Sequence, residues 1–250
     1  MLNDNIVKFE IDENFHKFTR KKKIFFEKDF VLKRKSSIKD IIESFGIPHT
    51  EIGNLIKNNK ELNFEYIPVK GDHIQIKSIT YSINVKLKTK LRPLKFDDIK
   101  FIADVNIGKA AILLRALGFD TLWEDRLDDG TIAKISEDQK RIVLTRDIDL
   151  LKRKSIAHGM FVDSMQPFEQ IKLILERFGL NPPYDLFSRC TRCNCILESI
   201  EKEKIIDRLL PKTKLYYDSF FICPGCKKIY WEGSHREKII NDFKKNGIQI

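Results

Sequence analysis

Long apolar runs are missing from this sequence. No stretch approaches the ~18 consecutive apolar residues of a membrane-spanning helix. The longest candidate, Ala110 to Leu117, is too short and contains Arg115. The amino terminus, Met1 to Glu10, is polar and has no apolar core of the kind a secretory signal needs. Together these absences predict a soluble, cytoplasmic chain with no membrane partner. Cysteine is scarce as well, with five in 250 residues. In a reducing compartment such cysteines bind metal or do chemistry more often than they form disulfides.

Charge is what the chain has in abundance. Asp, Glu, Lys and Arg make up 33% of it, with a net charge of +10 and a pI near 9.2. A basic balance of this size suggests a polyanionic partner, most simply nucleic acid. A lysine-rich compositional bias would give the same number. The apolar content of 42% suffices for real cores, and 250 residues leave room for one to three domains.

Residues 1–90 read as a small β-rich domain. Ile6 to Ile11 and Ile24 to Phe26 are strand candidates, and Lys21–Lys23 and Lys33–Lys35 are basic. From Ile38 to Phe45 apolar residues recur at helical spacing, with Ser36 or Ser37 as N-cap and Gly46 as the stop. Short strands are expected around Ile52–Ile56 and His73–Ile76. Two strands, a helix and more short strands is the order of a ubiquitin-like β-grasp domain. His49 reads as a turn residue rather than a catalytic one. The chain has no Gly-Gly tail, so a binding or positioning role is expected in place of conjugation. Residues 82–98 form a connector or a last strand.

Over 98–182 strands and helices alternate, which indicates βαβ units and a parallel sheet. Phe101-Ile102-Ala103 runs directly into Asp104, and Ile142-Val143-Leu144 runs through Thr145 and Arg146 into Asp147. A carboxylate at the end of a buried strand is costly unless something uses or satisfies it. The C-terminal edge of a parallel sheet is where open α/β folds place their ligands. Asp129 opens a helix in the same region. Converging carboxylates make a site for a hard divalent cation, Mg²⁺ or Mn²⁺, which can activate water for phosphodiester cleavage. Each of the three could instead cap a helix or turn.

Residues 187–250 carry separate chemistry. Cys190-Thr-Arg-Cys193 and Cys223-Pro-Gly-Cys226 are two C-x-x-C turns, each offering paired thiolates at the spacing of tetrahedral zinc. Four sulfurs leave no open position, so this zinc is expected to be structural, with Cys195 a spectator. Arg189, Arg192, Lys227 and Lys228 would offset the thiolate charge and could contact phosphates. Tyr230 and Trp231, beside lysine, could stack on bases or pack the small ribbon core; at least one is expected to pack.

These features together resemble the Mut-seven C-terminal RNase family. The resemblance rests on Phe101–Asp104 with Leu114-Arg115-Ala116-Leu117-Gly118, on Asp129 and Arg141–Asp147, and on Gln170. It also rests on both cysteine pairs and on Tyr230–His235. Residues 37–52 and Gly71–Ile74 resemble the ubiquitin-like domain often fused to that family. The resemblance implies a PIN-like parallel-sheet α/β domain, flanked by an N-terminal β-grasp domain and a C-terminal zinc ribbon. It implies a metal-dependent ribonuclease with Asp104, Asp129 and Asp147 as acidic site. Thr145 would buttress that site and Arg146 would meet a phosphate. Asp163, or else Asp149, is the positional candidate for a fourth acid. RNA is the implied partner, with the ribosome or a regulatory protein reached through the ubiquitin-like domain. The alternative is an RNA- or ribosome-associated binding module without catalysis.

Overall fold

The computed structural model describes residues 5–20 and 26–250. In chain order the elements begin with β1 (Ile6–Ile11), α1 (His16–Thr19), β2 (Glu27–Val31), α2 (Ile38–Ser44), β3 (Ile52–Lys57), β4 (Lys60–Glu61) and β5 (His73–Ser78). There follow β6 (Lys100–Ala103), α3 (Gly108–Ala116), β7 (Asp120–Leu122), α4 (Asp129–Gln139), β8 (Ile142–Thr145), α5 (Ile148–Leu151), β9 (Gly159–Phe161) and α6 (Pro167–Arg177). The last are β10 (Glu198–Ile200), α7 (Pro211–Tyr216), β11 (Phe220–Ile222), β12 (Ile229–Trp231) and α8 (Ser234–Lys245). They divide into two compact units, Met1–Asp98 with Asp128–Phe161, and Ile99–Leu127 with Val162–Ile250.

In the first unit, β1 to β5 form a five-stranded sheet in the order β2-β1-β5-β3-β4. β1 runs parallel to β5 and antiparallel to β2, and β3 is antiparallel to β4 and β5. This is the expected β-grasp arrangement. In β1 and β5 inward and outward residues alternate, so Val7, Phe9, Ile74 and Ile76 face the core beside Ile38 and Ile42 of α2. The Phe9 and Phe45 rings meet edge to face at 5.4 Å. Emptying a fully buried phenylalanine site of this kind costs about 3–5 kcal/mol. Ser37 caps α2, its hydroxyl accepting the Asp40 N–H at 3.2 Å. Gly46 ends the helix at φ +101°, where a Cβ would lie 2.7 Å from the Phe18 carbonyl oxygen.

One expected strand moves. Ile24, Phe25 and the Lys21–Lys23 loop lie outside the described residues, and Phe26 falls before the strand, which runs Glu27–Val31. Its sequence, Glu-Lys-Asp-Phe-Val, hides a strand under charge, as suits the edge of a sheet. Residues 82–98 form no strand. They are a connector, fixed where the Arg92 guanidinium donates to the Thr50 and Ile52 carbonyls at 3.1 and 2.8 Å.

The remaining strands of this unit, β8 and β9, pair in parallel. In the second unit β6 and β7 also pair in parallel, and α3 packs on α6. The parallel α/β class expected for this region is therefore present. A separate antiparallel sheet, β10-β11-β12, builds the ribbon over a small core of Ile205, Leu209 and Phe220.

Candidate functional site

The carboxylates anticipated at strand ends are where the sequence puts them. Asp104 follows β6 and is only 5% exposed. Its Oδ1 accepts the Val105 N–H at 2.6 Å and its Oδ2 accepts from Asn106 Nδ2 at 2.9 Å. Asp147 lies two residues past β8. Its Oδ1 accepts the Asp149 and Leu150 N–H groups at 2.7 and 3.3 Å, capping α5. Among the described residues Asp147 Oδ2 has no hydrogen-bond partner, so one carboxylate oxygen stays available. The fully buried Thr145 hydroxyl accepts the Asp147 N–H at 2.8 Å, which fixes the backbone under the acid. Arg146, between them, is half-buried.

At the start of α4 the structure separates two neighbouring acids. Asp128 is the N-cap, accepting the Thr131 N–H at 2.8 Å. Asp129 is the first helical residue, and its Oδ2 stands 3.8 Å from Arg153 Nη2. The capping duty that could have claimed Asp129 thus belongs to its neighbour. Asp163 is exposed after β9. Asp149 is exposed too and pairs with Lys152 at 3.0 Å. The buried Gln170 amide ties down the loop beyond Asp163 by donating to the Ser164 carbonyl at 2.8 Å.

The group of metal-ligand atoms that converges among the described residues is Cys190, Cys193, Cys223 and Cys226, all within 4.8 Å of one another. Neighbouring sulfurs are 3.2 to 3.5 Å apart. A zinc tetrahedron with 2.3 Å bonds has edges of about 3.8 Å. Both turns fold alike. The Cys193 N–H points to Cys190 Sγ and the Cys226 N–H to Cys223 Sγ, each at 3.4 Å. The residue after each turn, Asn194 or Lys227, adopts positive φ. Gly225 is required for space, since a Cβ there would stand 2.9 Å from Cys195 Sγ.

Protons on these thiols compete. Burial opposes ionisation of Cys193, but the Cys195 N–H and the neighbouring thiols outweigh it and draw the group down to about 6. Burial pushes Cys226 up to about 12. Cys193 and Cys226, pulled in opposite directions, do not both ionise readily without added positive charge. A dication supplies that charge, so the donor set fits zinc. The Cys195 thiol, hydrogen-bonded to Cys193, is pushed up and stands outside the converging four.

Arg115, one cation in an apolar helix, has a role that sequence reasoning did not assign. It is 1% exposed. Its Nε donates to the Thr121 carbonyl at 2.8 Å, and Nη1 to the Thr191 and Arg192 carbonyls at 3.1 and 2.8 Å. The guanidinium therefore sits under the first cysteine turn. Burial lowers its pKa, and the nearby Cys190 and Cys193 act to raise it. Asn194 adds bonds from the same turn to the Thr121 N–H and the Asp120 carboxylate. Arg189 is also occupied, donating to the Gly118 and Asn194 carbonyls at 3.1 and 3.0 Å. Tyr230 and Trp231 both pack. The Tyr230 hydroxyl meets Cys190 Sγ at 3.1 Å, and Trp231 lies 6.4 Å from the Phe220 and Tyr217 rings. Lys228 covers the Tyr230 face at 5.0 Å.

Among the described residues no helix is long and apolar enough to cross a membrane. Comparison with known proteins matched no curated protein and no solved structure. Two family models do match. Residues 4–84 fit the Mut7-C ubiquitin domain, and residues 99–243, more than half of the chain, fit the Mut7-C RNAse domain. Parallel α/β pairing, a four-cysteine ribbon and a β-grasp domain converge on the same assignment: this chain belongs to the Mut7-C RNAse family and carries the Mut7-C ubiquitin domain.

Proposed function

We propose that the protein is a metal-dependent ribonuclease of PIN-like design that hydrolyses RNA phosphodiester bonds in the cytoplasm. In this reading Asp104, Asp129 and Asp147 hold Mg²⁺ or Mn²⁺, with Asp163 as fourth acid. Residues 98–182 form the catalytic domain between a ubiquitin-like domain over 1–90 and a zinc ribbon over 187–250. The observation that carries the reading is the strand-end acid within the family match. Asp147 stands at the end of a buried parallel strand, with Thr145 bracing its backbone and Oδ2 unengaged. Carboxylate oxygens suit a hard cation. When bound, such a cation activates water and offsets charge developing on the phosphate. Asp147 would orient that charge, Thr145 would keep the acid in place and Arg146 would meet the scissile phosphate. RNA would be held by the basic surface and the ribbon, where Lys227 and Lys228 would meet phosphate.

The test is Asp147→Asn in the full chain. It keeps Oδ1 as a cap acceptor and removes the negative charge. Mg²⁺- or Mn²⁺-dependent cleavage of an RNA oligonucleotide should be lost, with zinc content and unfolding midpoint unchanged. Undiminished cleavage by the purified variant would overturn the assignment.

One observation favours a second reading. Asp104 and Asp147 both cap the turn that follows them, so the acids have a structural use without a cation. On that reading the protein is a non-catalytic RNA- or ribosome-associated module. Salt-dependent RNA binding with no turnover at any divalent ion would establish it.

A further inference from the structure

Three consecutive residues of the ubiquitin-like domain, His49, Thr50 and Glu51, are polar and buried. Polar groups out of water require partners. Those of His49 and Glu51 include the segment that follows Asp147. His49 Nδ1 meets Glu43 Oε1 at 2.8 Å, and Nε2 meets the Ile156 carbonyl at 2.9 Å. Glu51 Oε1 accepts the Phe161 N–H at 2.8 Å. The Phe161 ring stands edge-on to Phe18 at 5.2 Å. Phe161 and Ile148, the residue directly after Asp147, both pack against the apolar core of the β-grasp domain.

These contacts reach Asp147 in three links. Glu51 holds the Phe161 N–H. Phe161 is the register partner of Thr145 across β8 and β9. The Thr145 hydroxyl accepts the Asp147 N–H at 2.8 Å. On the other side of the acid, Ile148 is anchored directly. We propose that the ubiquitin-like domain is a fixed clamp on the loop that presents Asp147, not a detachable recruiting module. His49 and Glu51 are its positioning residues. The effect on cleavage rests on the nuclease reading, whereas the clamp itself does not.

The experiment uses the full chain with His49→Ala, Glu51→Ala and the conservative Glu51→Gln, which keeps an acceptor oxygen. Losing one such buried bond should speed amide exchange across residues 148–161 about tenfold, with ribbon residues 220–222 at the wild-type rate. With Mn²⁺ and an RNA oligonucleotide, kcat should fall about tenfold at unchanged KM. Glu51→Gln should restore both readouts. Phe161→Leu, which trims the Phe18 contact and leaves the backbone bond, gives the same readouts in a smaller step should an alanine variant fail to fold. Wild-type exchange across 148–161, or equal acceleration in the ribbon, would overturn the clamp. Faster exchange with unchanged kcat would overturn the positioning role. A wild-type chain that cleaves no RNA would remove the nuclease reading, and the exchange arm would still decide the clamp.

Discussion

At the scale of single residues, the largest buried commitment is Arg115. A guanidinium almost wholly out of water is tolerated because its N–H groups reach carbonyls of the Thr121–Trp123 segment and of the first cysteine turn. The thiolates above it supply opposite charge. Arg115→Met would keep the apolar stem and strand those carbonyls without donors. Stability should fall by about 3 kcal/mol or more, since removing one partner from a buried charged network leaves the others unsatisfied. Arg189→Met serves as the comparison, because Arg189 is partly exposed and water can replace it. Urea unfolding of both variants checks the ordering, and an Arg115→Met loss no larger than that of Arg189→Met would refute it. Arg115 was illegible in the sequence for a simple reason. α3 is buried on almost every side, Leu114, Arg115 and Ala116 alike, so periodicity does not single Arg115 out.

Elements bounded by local chemistry were legible. The Ser37 cap and Gly46 stop define α2, and the apolar run before Thr145 defines β8. What failed depended on distant partners. The His49–Glu51 turn is legible as a turn, but its burial is not, because its partners lie 107 and 110 residues away. At α4 two adjacent aspartates offered the same cap, and only the fold chooses Asp128. The acids at strand ends were found, yet their caps on the following turns were visible only as alternatives. His158, just before β9, shows how such distant contacts set a pH response. It donates through Nε2 to the Leu94 carbonyl at 2.8 Å and packs on Phe96 at 4.5 Å. Burial pulls its pKa below the ordinary 6.5, the Leu94 bond opposes this and Arg92 adds to it. With the folded value depressed, the unfolded chain takes up the proton more readily. Stability is then complete above about pH 6.5 and falls as pH drops through the folded value. The urea midpoint should decline as pH is lowered from 6.5, and His158→Gln should flatten that part of the curve. An equally steep decline in the variant would show that other groups set it.

At the scale of the whole molecule, the β-grasp core of the first unit and the ribbon of the second differ in what holds them. The first has an extended apolar core running from Val7 to Leu91 and including four buried phenylalanines. The ribbon of the second has three buried apolar residues at its centre, with Trp231 and Tyr217 packed around them. A core that small supplies little of the stabilisation a folded segment needs, and a metal held by the four converging thiols would supply more. Metal removal should therefore act on one unit only. Chelation of the purified protein should release about one zinc per chain and expose the thiols to modification, because structural zinc carries much of the folding free energy of such sites. Amide exchange should rise across 187–231 and around Arg115, whose charge loses its counterpart. Strands Ile6–Ile11 and His73–Ser78 should keep their protection, since they are built on the apolar core of the first unit. Mass spectrometry of zinc content beside exchange mapping reads both halves of the prediction. A chain purified without zinc, with the same protection over 187–231, would show that the cysteine turns hold by packing alone.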